Sequence, residues 1–161
     1  MVPSNTICSR PACGDSNDSN MVTRDPDIAA GYLEDAGHFP GGHAVAVAQP
    51  RSESDVAAIV CQAESILAVG AQSSLTGGAT PTGETVVTTD RLNQIVKISD
   101  SAVTVQAGVS LRTLREELSS RGMFYPPAPT FDGALVGGVV ATNASGASTF
   151  KYGSTRPWVI G

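Results

Sequence analysis

Aromatic residues and charge are both scarce in this chain. Only 5% of its 161 residues are aromatic and 16% are charged, so a core has to rest on Val, Leu, Ile and Ala. Asp and Glu number 15 against 10 Lys and Arg. The resulting net charge of −5 argues against a nucleic-acid partner, because phosphate backbones are held by a surplus of cations. No apolar run approaches the ~18 residues of a membrane helix, so no transmembrane segment is expected. Met1–Asn20 has no apolar stretch and does not read as a secretory signal. Cys8, Cys13 and Cys61 make an odd count without paired Cys or His ligands. No metal site and no oxidising compartment are implied, and the cytoplasm is the default location. Two phosphate-binding patterns are missing as well. The chain contains neither G-x-x-x-x-G-K-[ST] nor G-x-G-x-x-G, which excludes an ordinary P-loop and a Rossmann fingerprint.

What the chain has in quantity is glycine, with 17 residues, and proline, with 10. The length suits one domain. Residues 1–26, rich in Ser, Asn, Asp and Pro, read as a disordered or tag-derived tail, and residues 27–161 as the folded unit. Cys61 is expected on an apolar helix face. Asp27–Asp35 reads as a short helix, His38–Gly42 as a turn and Ala44–Ala48 as a strand. Ser52 and Asp55 form a capping box. Val56, Ile59, Val60 and Ala63 then follow as one buried helical stripe. Ile66–Val69 is the next strand, and the strand–helix–strand unit implies a small parallel sheet. Thr85–Thr89, Ile95–Ile98 and Ala102–Ala107 read as further strands. Ser110 caps a helix carrying Leu111, Leu114 and Leu118, with Gly122 at its stop. Pro126–Pro129 is expected to be rigid, extended and outside any strand ladder.

Two small-residue segments stand out. The first, Gly70-Ala71-Gln72-Ser73-Ser74-Leu75-Thr76-Gly77-Gly78-Ala79, follows a strand. Such a loop exposes backbone N–H groups and small hydroxyls that can hold a phosphate without a lysine. The same composition also makes an ordinary turn. In the phosphate reading, a side chain at Gly77 would fill the phosphate space. The second segment, Gly133–Gly146, has no strand or helix period. It is either a buried turn or a second wall whose backbone approaches a large flat ligand.

Together these segments resemble the FAD-binding domain of the vanillyl-alcohol oxidase / p-cresol methylhydroxylase (PCMH-type) flavoprotein superfamily, in its D-lactate and glycolate dehydrogenase branch. Tyr32–Asp35, Gln49–Val56 and Lys151–Arg156 add to the likeness, which covers roughly residues 27–161. The resemblance implies an α+β fold: a small parallel sheet with helices, plus a second, larger β subdomain cut short at the C-terminus, with FAD between them. It implies that Gly70, Ala71, Gln72, Ser73, Ser74, Leu75, Thr76, Gly77 and Gly78 hold the pyrophosphate. Pro129, Thr130, Gly137 and Gly138 would line the flavin and its linker. Thr142, Asn143, Ser145 and Gly146 would lie along the ribityl and pyrophosphate side. Members that attach FAD covalently use a histidine in the first loop or a cysteine before the Pro-Thr pair. Those places hold Ser73 and Ala128, which implies non-covalent FAD. Many members also carry an arginine before the loop and a glycine within it, where this chain has Val69 and Gln72.

The implied reaction is oxidation of a small 2-hydroxy acid, D-lactate or glycolate, whose C2 hydride passes to flavin N5. The substrate-binding cap lies outside this sequence, and the electron acceptor is unknown. No general base is evident. His38 and His43 read as loop histidines, and Asp90, Asp100 and Asp132 as turn residues. A binding module that works with a partner or a C-terminal half, an alditol or sugar oxidase, and an ether-lipid synthase are the alternatives.

Overall fold

The structure, a computed structural model, describes residues 21–127 and 129–161. Cys8, Cys13 and Ala128 lie outside the described residues. Four strands build the first sheet: β1 (Val22–Thr23), β2 (Ala46–Ala48), β3 (Ile66–Val69) and β4 (Thr85–Thr88), in the order β1-β2-β4-β3. The three strands β2, β4 and β3 run parallel, and β1 adds antiparallel at the edge. The folded unit therefore begins before the expected boundary at residue 27, because Val22 and Thr23 pair with Ala48 and Val47.

Alternation along the strands divides the buried residues between two faces. Val47 and Val86, which are register partners, pack with Val69, Tyr32 and Leu67 on one face. Ala48 and Val87, also register partners, pack with Ile59 and Val22 on the other. Ile59 comes from helix α2 (Glu53–Gln62). The capping box is present: Asp55 N donates to Ser52 Oγ at 3.2 Å, and Ser52 N donates to Asp55 Oδ2 at 3.0 Å. The expected four-residue stripe is narrower than its sequence suggested. Only Ile59 is buried, Val60 is exposed, Cys61 is half-buried, and Ala63 is already the C-cap. Three-residue and four-residue strands offer too little sheet surface to cover a full helical stripe.

Helix α1 (Pro26–Ala30) starts one residue before the sequence expectation and stops at Gly31. Its N-cap Asp25 accepts from Asp27 N, and Pro26 takes the first helical position, where a missing N–H costs nothing.

A second unit follows. Strands β5 (Ile95–Ile98) and β6 (Val103–Val105) pair antiparallel. Helix α3 (Leu111–Ser119) lays Leu111, Leu114 and Leu118, three and four residues apart, against Ile95, Ile98, Val103 and Val105. Ser110 caps it through Thr113 N at 3.1 Å, and Gly122 adopts φ +70 beyond its end. The Pro126–Pro129 run departs from expectation. Pro126 and Pro127 form a turn, and Pro129 makes an isolated antiparallel bridge with Gly146. Arg115 fixes this stretch by donating to the Pro129 carbonyl at 3.1 Å and pairing with Asp132.

The second glycine segment contains helix α4 (Val136–Ala141), where the sequence showed no period. Two of its six residues are glycine, the weakest helix former after proline. Its formation is tertiary: Val136 N and Gly137 N donate to the carbonyls of Val109 and Ala107 at 2.9 and 2.8 Å. Two short pieces close the described chain, α5 (Thr149–Tyr152) and a 3₁₀ turn at Arg156–Trp158.

Candidate functional site

The loop 70–79 leaves the C-terminal end of β3, the edge strand on the parallel side of the sheet. Open α/β sheets bind their ligands at the carboxyl ends of strands. The loop is held from one side by the segment 34–38. Ala36 N donates to the Gln72 carbonyl at 2.9 Å, and Gly37 N donates to the Ser74 carbonyl at 3.1 Å. Gly37 N also reaches Asp35 Oδ1 at 3.0 Å. Asp35 is buried, and a His38 N bond to the Asp35 carbonyl at 2.9 Å closes the turn beneath it.

These bonds decide where the loop's amides point. In a planar trans peptide the C=O and the next N–H face opposite ways. The Gln72 carbonyl shares its peptide with Ser73 N–H, and the Ser74 carbonyl with Leu75 N–H. With both carbonyls turned toward 36–37, both N–H groups face away from that segment. Neither has an acceptor among the described residues, nor do the N–H groups of Gly77, Gly78 and Ala79. The Gln72, Ser74 and Gly77 carbonyls are thus engaged within the protein while these five donors are left open, an arrangement an anion-binding backbone can use. Ser74 Oγ and Thr76 Oγ1 stand 3.2 Å apart, and a methyl on Gly78 would lie 3.6 and 3.7 Å from them. Small hydroxyls and an unblocked glycine face therefore share one surface. This is a cradle that a side chain would fill, and it fits a phosphate.

The two adjacent glycines differ in what a side chain there would meet. At Gly77, φ is +77, and a Cβ would meet the Phe39 ring at 2.9 Å. Gly77 is glycine because of its left-handed backbone and the aromatic ring on it, whereas a Cβ at Gly78 would meet only the two hydroxyls at ordinary contact distance. Gly37 and Phe39 were not legible in the sequence because they meet Ser74 and Gly77 through tertiary contact from nearly 40 residues away.

The second segment is joined to the first at a single seam. Leu135, the N-cap residue of α4, lies against Gly70, whose Cβ would stand 3.6 Å from the Leu135 Cβ. At Gly137 a Cβ would come within 2.8 Å of the Ala107 Cβ, while Gly138 opens onto free space. Gly70 thus meets the second segment at Leu135, and Gly137 packs on Ala107 instead. The polar residues further along are occupied internally. Thr142 Oγ1 donates to the Gly138 carbonyl at 2.8 Å, Asn143 Oδ1 accepts from Arg156 N at 2.8 Å, and Gly146 N donates to Thr149 Oγ1 at 2.8 Å. Asn143, at φ +50, serves as a turn residue that fastens the 3₁₀ segment. Pro129 is buried, and Thr130 and Ser145 are exposed.

Asp90 lies at the same sheet edge, two residues past the end of β4. Burial pushes its carboxyl above the usual carboxylate range, against the opposing pull of the Tyr32 hydroxyl 3.5 Å away and the Arg91 charge. The Thr88 hydroxyl, on the strand residue paired with Val69, is buried and has no partner among the described residues.

These features define an α+β domain with a phosphate-compatible main-chain loop at the end of a parallel sheet. The FAD binding domain family matches residues 44–161, and the chain belongs to that family. It is 36% identical over 125 residues to a D-2-hydroxyglutarate dehydrogenase of Xanthomonas citri pv. viticola, covering 73% of this chain and 26% of that protein. It is 34% identical over 120 residues to a D-lactate dehydrogenase of Archaeoglobus fulgidus, covering 71% of this chain and 27% of that protein. The chain therefore spans about a quarter of the length of these relatives. Among solved structures, an alkyldihydroxyacetonephosphate synthase superposes with a TM-score of 0.74 at 18% identity, over 86% of this chain and 29% of that one. That likeness is one of fold. The α+β architecture and PCMH-type FAD-binding fold expected from the sequence are thereby established. No helix among the described residues is long and apolar enough to cross a membrane.

Proposed function

We propose that residues 71–78 hold the pyrophosphate of FAD, and that the complete protein is a flavin-dependent dehydrogenase of small D-2-hydroxy acids. The observation that carries the cofactor assignment is the row of unengaged N–H groups at Ser73, Leu75, Gly77 and Gly78. Two negative phosphates match preorganised backbone dipoles without a full counter-charge. In this reading the chain's residues bind and orient. Ser73 N–H and Leu75 N–H grip phosphate oxygens, the Ser74 and Thr76 hydroxyls add donors, and Gly78 leaves room for them. Gly138 gives the ligand close access to the α4 backbone. Bound FAD would supply a hydride acceptor for the carbinol carbon of the substrate. The substrate class is carried over from the two named relatives, and the residues that hold the substrate are assigned to a cap outside residues 1–161. FAD is held non-covalently in this reading, because Ser73 provides no ring nitrogen for attachment. A cytoplasmic location is part of this reading, as the default for a chain whose sequence has no paired-cysteine framework.

The test is anaerobic. Flavin-loaded full-length protein is mixed with D-lactate or D-2-hydroxyglutarate, and the yellow absorbance is followed. Bleaching by a D-acid and not by its L-enantiomer is the expected result. A flavin that binds and stays oxidised with every 2-hydroxy acid overturns the substrate assignment.

A further inference from the structure

We propose that Gln72 is a positioning residue, a latch that presets the phosphate-binding shape of the loop. This inference rests on the FAD reading above. Gln72 is not a phosphate contact through its side chain: Nε2 turns back and donates to the Glu34 carbonyl at 2.7 Å. The same residue accepts from Ala36 N at 2.9 Å through its own carbonyl. One residue thus bonds the segment 34–37 at two points, and the Ser74 carbonyl bond to Gly37 N adds a third.

The backbone shows why a latch is needed. Gln72 sits at φ +51. That left-handed conformation is strained for an L-residue, and it persists where the surroundings over-determine it. Here the surroundings are the two bonds to 34–36. The conformation matters because it orients the 72–73 peptide. Released from Ala36, the Gln72 carbonyl is free to swing round, and Ser73 N–H swings with it, away from the ligand side. A carbonyl would then face the phosphate. The side-chain bond to Glu34 is what a glycine at this position cannot make. Within the anchor, Asp35 is only 3% exposed and its Oδ1 accepts from Gly37 N, while its Oδ2 is buried without a partner among the described residues.

The test uses full-length protein and the variant Gln72→Met, which keeps side-chain length and removes the donor. Amide hydrogen exchange is measured without ligand, and affinities are measured for FAD and for riboflavin, which has the same ring system without the pyrophosphate. Faster exchange at Ala36 and Gly37 is expected, with FAD bound about threefold to tenfold more weakly, the range of one hydrogen bond, and riboflavin unchanged. Restoring a donor, on a flexible chain one bond longer, with Gln72→Lys should recover the exchange protection. Unchanged FAD affinity overturns the proposal, as does an equal loss for FAD and riboflavin, which would mark general damage to the fold. Unchanged exchange at Ala36 and Gly37 overturns it independently. If wild-type protein binds no FAD, the cofactor reading fails, while the exchange arm still decides whether Gln72 holds the loop.

Discussion

Substituting Gly78 by alanine separates the ligand cradle from the fold. A Cβ at residue 78 would meet only the Ser74 and Thr76 hydroxyls, at 3.6 and 3.7 Å, which is ordinary van der Waals contact. Its backbone is not in the left-handed region. Folding should therefore be unharmed, or gain about 0.4–1 kcal/mol from a stiffer unfolded chain. For a protein of this size that raises Tm by up to about 4 °C. The ligand meets the opposite situation. The methyl stands where a phosphate oxygen would approach those two hydroxyls. Losing one hydrogen bond to a charged group weakens binding by about 1.5–3 kcal/mol, or about tenfold to a hundredfold at roughly 1.4 kcal/mol per decade. Gly77→Ala is the internal contrast. Its φ of +77 and the Phe39 ring at 2.9 Å put the damage in the fold. The left-handed term alone is about 1–2 kcal/mol, and at about 2–4 °C per kcal/mol the melt should fall by several degrees. The assays are thermal melts without ligand and flavin-fluorescence titration with FAD. A Gly78→Ala protein that melts normally and binds FAD as tightly as wild type would refute the cradle. A Gly77→Ala protein with an unchanged melt would refute the Phe39 argument.

Other outcomes follow from the same geometry. Gly137→Ala forces its new methyl within 2.8 Å of the Ala107 Cβ, so overpacking at that seam should cost about 1–3 kcal/mol, read as a lower thermal midpoint. Acid precipitation of flavin-loaded protein should leave the yellow colour in the supernatant; colour retained in the pellet would contradict non-covalent attachment. Amides at Arg51 and Ser52 hold the Asp55 carboxyl below its ordinary value, so its stabilising contribution is present above the unfolded pKa and lost as pH falls through the folded one. Asp55→Asn should therefore flatten the acid side of a melting-temperature profile. Asp90 has the opposite sign, because burial raises its pKa. Its contribution is full below the unfolded pKa and fades as pH rises through the folded value, so Asp90→Asn should raise the melting temperature more at neutral pH than in acid.

Much of the local structure was legible in the sequence. Ile66–Val69 and Ile95–Ile98 appear with the expected bounds, because short β-branched runs between turn residues have few alternatives. The Ser52–Asp55 box and the Ser110 cap were readable because their hydrogen bonds join residues three apart. Helix α4 was not, since its first amides are satisfied by Ala107 and Val109, which no local pattern reveals. The two-residue strand at Val22–Thr23 was missed for a similar reason: it exists only as the edge partner of β2.

The sequence by itself determined that a small-residue loop follows a short strand, that the loop carries no lysine or histidine, and that a second glycine segment lies downstream; the burial expected of that strand is confined to Val69. Composition is enough for those statements, because they concern which atoms are available. Only the tertiary structure decided what each residue does there. It turned the Gln72 and Ser74 carbonyls toward Ala36 and Gly37, so the planar peptide points Ser73 N–H and Leu75 N–H the other way. It set Phe39 on Gly77 and left only two hydroxyls beside Gly78. It occupied the Asn143 side-chain oxygen Oδ1 with Arg156 N. Direction is a property of contacts between segments far apart in the chain, and a list of residues does not contain it.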